Sequence, residues 1–252
     1  MRSHPMLASI VVALFAGLLG VARADEVPVA VAANFAAVMP RLSAAFERDS
    51  GHRLVVSVGS TGRFAAQIRQ GAPFEVLLSA DAETPARLER EGLAIAGTRF
   101  TYATGRLALW SRDAGRVDAQ GDVLRTGRFE RLAIAEPKLA PYGAAAMQVL
   151  AALGLETALR PRLVLGDSVG QAHQFVATGN AELGFVALAQ VQTDGRVTQG
   201  SAWIVPAGLH APLRQDAVML RPGRGRPAAE AFLRWLRGDA ARALIRGHGY
   251  EA

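Results

Sequence analysis

The sequence predicts an α/β protein built as two lobes, and three observations carry that expectation. Short apolar runs without alternation, such as residues 27–33 (VPVAVAA), are the mark of parallel strands buried on both faces. These runs alternate with stretches of helical apolar period, the order found in parallel-sheet proteins. The alternation runs through residues 27–91, breaks in a Gly- and Arg-rich stretch that ends at Arg128, and then restarts.

The elements follow in order. Residues 27–33 lead into Asn34 and a helix with Phe35, Val38, Leu42 and Phe46 on its apolar face, ended near Gly51. Residues 54–58 form a second strand, followed by Gly59-Ser60-Thr61-Gly62 and a helix carrying Phe64 and Ile68. Residues 75–79 form a third strand, after which Thr84-Pro85 supply an N-cap and a first helical residue for a helix to Glu91. Residues 106–110 form a strand ahead of the Gly- and Arg-rich loop. After the restart, residues 132–135 are a strand and Pro141-Tyr142-Gly143 open a helix that stops at Gly154. Residues 162–165 are a strand, and Ser168 with Gln171 makes a capping box for a helix over 169–178. Residues 182–186 and 217–220 are strands, and helices over 228–236 and 239–245 close the chain, placed so that they can return to the first lobe.

Half of the 252 residues are hydrophobic and 20% are charged, a globular rather than a disordered composition. The chain has no cysteine, which removes disulfides, thiolate metal sites, Cys nucleophiles and a Cys-linked lipid anchor. Arg2, the sixteen uncharged residues 6–21 and the small-x-small triplet Ala22-Arg23-Ala24 form a cleaved signal peptide over 1–24, since the apolar run is short for a membrane span. The product is expected to be exported with no membrane anchor. Without residues 1–24 the chain keeps 26 Lys+Arg against 22 Asp+Glu, and Lys138 is its only lysine. The arginines are scattered. The densest group, Arg221, Arg224 and Arg226, lies among Pro and Gly with no interleaved aromatics, so nucleic acid is excluded as a partner.

Enzyme signatures are missing. His52, His173, His210 and His248 are isolated, and no HExxH or GxGxxG occurs. Gly59-Ser60-Thr61-Gly62-Arg63 resembles part of a phosphate loop but lacks its GK[ST] ending. No catalytic group is visible, and neither metal nor organic cofactor is expected.

What recurs is a junction. Ala33-Asn34, Ser60-Thr61-Gly62, Pro141-Tyr142-Gly143 and Ser168-Val169-Gly170 each join a strand to a helix start. In an α/β sheet such junctions lie at the carboxyl ends of the strands, where ligands bind. Helix starts present unpaired N–H groups and a positive dipole end, so several converging starts hold an anion without Lys or Arg. Asn34, Ser60 and Tyr142 are candidates to add side-chain donors. Ordinary capping accounts for any one junction taken alone, and for Ser168 capping is the preferred reading.

Several segments carry a further resemblance: residues 29–35 (VAVAANF), 59–62 (GSTG), 71–81 (GAPFEVLLSAD), 136–143 (EPKLAPYG), 166–172 (GDSVGQA) and 179–188 (GNAELGFVAL). In this order, across nearly the whole mature chain, they resemble the periplasmic molybdate-binding proteins of ABC transporters (ModA type). The resemblance implies a type II periplasmic binding protein fold, two α/β lobes joined by a two-strand hinge. Lobe 1 would be discontinuous, residues 25–104 and 206–252, with lobe 2 over 105–205. It implies a monomeric periplasmic carrier that closes over molybdate or tungstate and delivers it to a membrane permease.

Carried over residue by residue, Asn34 and Ser60 donate through backbone and side chain, Tyr142 and Val169 through backbone N–H, and Ala33 through its backbone at most. Some relatives place a tyrosine hydroxyl where this chain has Ala187, a donor lost here. Asp81 and Asp167 are expected to stay outside the ion's immediate shell, because a carboxylate there would favour protonated phosphate. The alternatives are a sulfate or other tetrahedral oxyanion carrier, an exported α/β enzyme, and last a ferric carrier, which needs clustered tyrosines. Tyr102, Tyr142 and Tyr250 stand isolated in the sequence.

Overall fold

The computed structural model describes residues 25–193 and 195–252. The signal peptide expected over residues 1–24 lies outside them. In chain order the elements begin with β1 (Glu26–Ala32), α1 (Met39–Ser50), β2 (Arg53–Gly59), α2 (Thr61–Arg69), β3 (Val76–Leu78), α3 (Glu83–Arg90) and β4 (Phe100–Gly105). There follow β5 (Leu107–Ser111), α4 (Val123–Thr126), β6 (Leu132–Ala135), α5 (Pro141–Ala152), α6 (Glu156–Leu159), β7 (Leu163–Gly166), α7 (Val169–Ala177) and β8 (Leu183–Ala187). The chain ends with β9 (Gln192–Thr193), β10 (Arg196–Val197), β11 (Ser201–Ile204), β12 (Leu213–Met219), α8 (Pro227–Leu236) and α9 (Asp239–Gly247).

Two five-stranded sheets form two lobes, in the orders β2-β1-β3-β12-β4 and β11-β5-β8-β6-β7. In each, four strands run one way and one runs against them, β12 in the first sheet and β5 in the second. The chain passes between the sheets twice. β4 leaves the first sheet and, after Arg106 alone, β5 enters the second; β11 leaves the second and β12 enters the first. These two crossings are the hinge. β1 is sealed on both faces, with Val27, Val29, Ala30 and Val31 all at 0% exposure, because neighbouring strands and helices on both sides leave it no wet face. The closing helices do return to the first sheet: Phe232, Leu236 and Ile245 pack in one core with Val27, Val29 and Leu42.

Three local expectations need correcting. The helix after β1 starts at Met39, and Asn34 lies instead in a tight turn of 3-10 helix, Ala33–Phe35. Pro40 explains the shift, since a residue without an N–H sits comfortably only in a first helical turn. Thr84 does not cap α3; its own N–H donates to the carboxylate of Asp81 (2.7 Å), which takes the capping part. The sequence reading lacks the hinge strands β4 and β11; β4 is set off from β5 by Arg106 alone, and β11 has only four residues.

Candidate functional site

The four junctions meet. The turn after β1, the start of α2 after β2, the start of α5 after β6 and the start of α7 after β7 line one small cavity, of about 10 Å³. Ala33, Asn34, Ser60, Tyr142 and Val169 all line it, together with Thr61 and Ser168. No Asp, Glu, Lys, Arg or His is among its lining residues. Tyr142 and Val169 fall in the first turns of α5 and α7, where a backbone N–H has no partner within the helix.

The lobes press against one another around this cavity. Gly62 N–H, in α2, donates to Leu139 O of the second lobe (2.9 Å), and a Cβ on Gly62 would stand 2.9 Å from the Leu139 backbone. The Arg63 guanidinium meets the Asp167 carboxylate across the cleft, with both side chains about half exposed. Gly170 comes against Ala33, close enough that an added Cβ would sit 3.3 Å from the alanine Cβ.

Ser60 is the N-terminal flanking residue of α2, yet its side chain makes no capping hydrogen bond. Its Oγ is buried without any partner. Ser168, by contrast, does cap: its Oγ accepts from Gln171 N–H (3.3 Å). The reciprocal half of that capping box is displaced by one residue, because Gln171 Oε1 accepts from Asp167 N–H (2.6 Å). Capping therefore accounts for one serine and not for the other.

Two side chains depart from the expected donor set. Asn34 Nδ2 donates to Gln215 Oε1 (2.9 Å) and to Tyr250 Oη (3.2 Å), so both of its hydrogens are engaged within the protein, while Asn34 Oδ1 has no partner. The Tyr142 hydroxyl accepts from Gln215 Nε2 (3.2 Å) and lies against Gly105 of β4, where an added Cβ would stand 2.0 Å from it, so it is held at the hinge rather than toward the cavity. These two residues offer backbone N–H groups only. Ala187 is fully buried, with its N–H donating to Gln190 Oε1 (3.0 Å).

The three tyrosines, isolated in sequence, are neighbours in space, which corrects the ground on which the ferric reading was ranked last. Tyr102 Oη donates within a network that includes Ser79 O (3.1 Å) and Gln215 Oε1 (3.0 Å), and Tyr250 Oη donates to Asn34 O (2.7 Å). Burial pushes all three phenols above their ordinary range. Phe35 wedges edge-on between the rings of Tyr102 and Tyr250, at 4.9 and 5.3 Å, and pins the Asn34 turn. Gln215, which ties the network together, carries no local signal in the sequence.

The carboxylates stand apart from the cavity. Asp81 accepts from Thr84 N, Thr84 Oγ1 and Ser79 Oγ, and it lines a broader open groove of about 570 Å³ next door. Burial raises its carboxyl above the usual range, against those hydrogen bonds.

Comparison with known proteins gives a consistent picture. Residues 27–251 match the family described as bacterial extracellular solute-binding protein. The chain is 57% identical over 245 residues to the molybdate-binding protein ModA of Azotobacter vinelandii, covering 97% of each. It is 49% identical over 239 residues to the ModA of Rhodobacter capsulatus, covering 94% of this chain and 93% of that one. Among solved structures, a periplasmic molybdate-binding protein of Azotobacter vinelandii superposes with a TM-score of 0.87 at 43% identity, covering 90% of this chain and 99% of the other.

Proposed function

Because the chain belongs to the bacterial extracellular solute-binding protein family, and to its molybdate-binding members, we propose that it captures molybdate between its lobes and delivers it to an ABC transporter permease. Tungstate, of the same shape and charge, is a second cargo of the same site. The chain acts as an exported periplasmic monomer, without catalysis or a resident cofactor. Lobe 1 comprises residues 25–104 and 206–252, and lobe 2 residues 105–205. Among the described residues no helix is long and apolar enough to cross a membrane.

The observation that carries this reading is the wall of the cavity: helix-start amides from both lobes, a buried serine hydroxyl with no protein partner, and no charged side chain. Such a wall suits an ion that only accepts hydrogen bonds. A fully deprotonated tetrahedral dianion accepts from every direction, whereas protonated phosphate would turn its own O–H against a donor. Each hydrogen bond to a charged acceptor contributes roughly 1.5–3 kcal/mol net. About six of them, less an association cost of ~4 kcal/mol or more, correspond to micromolar to nanomolar binding.

The test is thermal unfolding of residues 25–252 with molybdate, tungstate, sulfate or phosphate. At a thousandfold excess over the dissociation constant, stabilisation of ~4 kcal/mol raises the melting temperature by roughly 8–16 °C for a chain of this size. A large rise with molybdate and tungstate but not sulfate supports the proposal. A larger rise with sulfate keeps the carrier and changes its cargo, and no rise with any oxyanion removes the reading.

A further inference from the structure

The last residues of the chain reach the anion site from behind. Helix α9 ends at Gly247, and Gly249, at φ 84°, bends the backbone through the left-handed region that glycine adopts without strain. That bend brings Tyr250 back into the core of the first sheet, where only 4% of the residue stays exposed. Glu251 then pairs with the hinge strand β4: Thr104 N–H donates to Glu251 O (2.7 Å), and Glu251 N–H donates to Thr104 O (3.1 Å). β4 is an edge strand with β12 on one side, so the tail occupies its other side.

Tyr250 ends at the turn that follows β1. Its hydroxyl donates to Asn34 O (2.7 Å), and its ring meets Phe35 edge-on at 5.3 Å. Asn34 O is a main-chain carbonyl, which can only accept, so the phenol must be the donor. In a helical turn the carbonyls point one way along the axis and the N–H groups the other. Holding the Asn34 carbonyl toward Tyr250 therefore sets the opposite end of the turn, where Ala33 and Asn34 line the cavity. The turn has only three residues, and its closing bond, Ala36 N–H to Ala33 O, is long at 3.3 Å. Its aim depends on what is packed behind it.

We propose that Tyr250 is a positioning residue of the anion site, and that the C-terminal tail, clipped to the hinge strand at Thr104, holds the Asn34 turn with its N–H groups aimed at the bound oxyanion. The inference rests on the oxyanion-binding reading above. The clip lies one residue before Gly105, which sits against the Tyr142 hydroxyl at the start of α5. Two adjacent residues of β4 thus touch the tail and an element of the second lobe's half of the site.

The experiment uses residues 25–252 with sodium molybdate as the probe. Isothermal titration reads the affinity, and nuclear magnetic resonance reads the backbone amide signals of Asn34 and Val169. Tyr250→Phe keeps the ring against Phe35 and removes only the hydroxyl. It is expected to weaken binding about tenfold, because a misaimed donor gives up part of a hydrogen bond to a charged acceptor. The shift that molybdate induces in the Asn34 amide proton should shrink, while that of Val169, on the other lobe, should be kept. A merely structural loss would lower the melting temperature without singling out Asn34. Deleting Glu251 and Ala252 spares the hydroxyl but removes the clip, and is expected to weaken binding by a smaller factor. Unchanged affinity in Tyr250→Phe, or an equal loss of the induced shift at Asn34 and Val169, overturns the positioning role. Unchanged affinity in the deletion overturns the part given to the tail. A wild-type protein that binds no tetrahedral oxyanion overturns the functional reading itself, and this inference with it.

Discussion

Ser60→Ala separates a ligand-binding hydroxyl from a structural one by the sign of two effects. The Ser60 Oγ is buried at a helix start, caps nothing and has no partner within the protein. Its removal therefore deletes no hydrogen bond from the ligand-free molecule. It takes away a polar atom whose burial is uncompensated, so the ligand-free stability should stay level or rise by up to ~1 kcal/mol. Binding should move the other way. A hydroxyl that donates to a dianion contributes roughly 1.5–3 kcal/mol, so affinity should fall about ten- to hundredfold. Differential scanning calorimetry of the ligand-free variant and isothermal titration with molybdate read the two quantities independently. A lower melting temperature with unchanged affinity would refute the reasoning, since it would make the hydroxyl a structural group.

Other predictions follow from the interlobe contacts and from Asp81. Gly62→Ala should stabilise α2 by up to ~1 kcal/mol as a helical Gly→Ala change, yet weaken molybdate binding, because its Cβ would meet the Leu139 backbone at 2.9 Å and hold the lobes apart; calorimetry of free and bound protein checks both. Arg63→Ala removes a half-exposed ion pair across the cleft, so its effect on affinity should stay within about fivefold and vanish in high salt. For Asp81, burial raises the folded carboxyl above the unfolded value of about 3.9. The folded state then binds that proton more tightly, so the stabilisation is present at low pH and lost as pH rises above about 4. The wild-type melting temperature should accordingly fall relative to that of Asp81→Asn between about pH 4 and 7.

The parts of this molecule written in local chemistry were legible in its sequence. The central strands announce themselves as apolar runs, and the junctions as small residues before helix starts, because capping and burial act over a few neighbours. The hinge strand Phe100–Gly105 leaves little mark because only Arg106 separates it from the next strand, so the two read as one continuous stretch. The direction of a side chain was beyond reach for a different reason. Whether Asn34 and Tyr142 aim at the cavity depends on Gln215 and Tyr250, which lie far along the chain and arrive only through the fold. The burial of three separate tyrosines in one network is likewise a product of topology and leaves no spacing to read.

The cavity is walled by four strand-to-helix junctions, and this bears on how such a protein could change its cargo. Ser60 apart, swapping lining side chains leaves the backbone N–H groups of the helix starts where they are. The radius of the site is set instead by how near the helix starts are allowed to come, and that is governed by residues with no side chain at all. A Cβ on Gly143 would lie 2.1 Å from Ala135 O, and one on Gly166 would lie 2.8 Å from Ala172 N. An alanine at either place would push a whole helix start outward. Substitutions at these glycines are therefore expected to shift the balance between oxyanions of equal charge and different bond length.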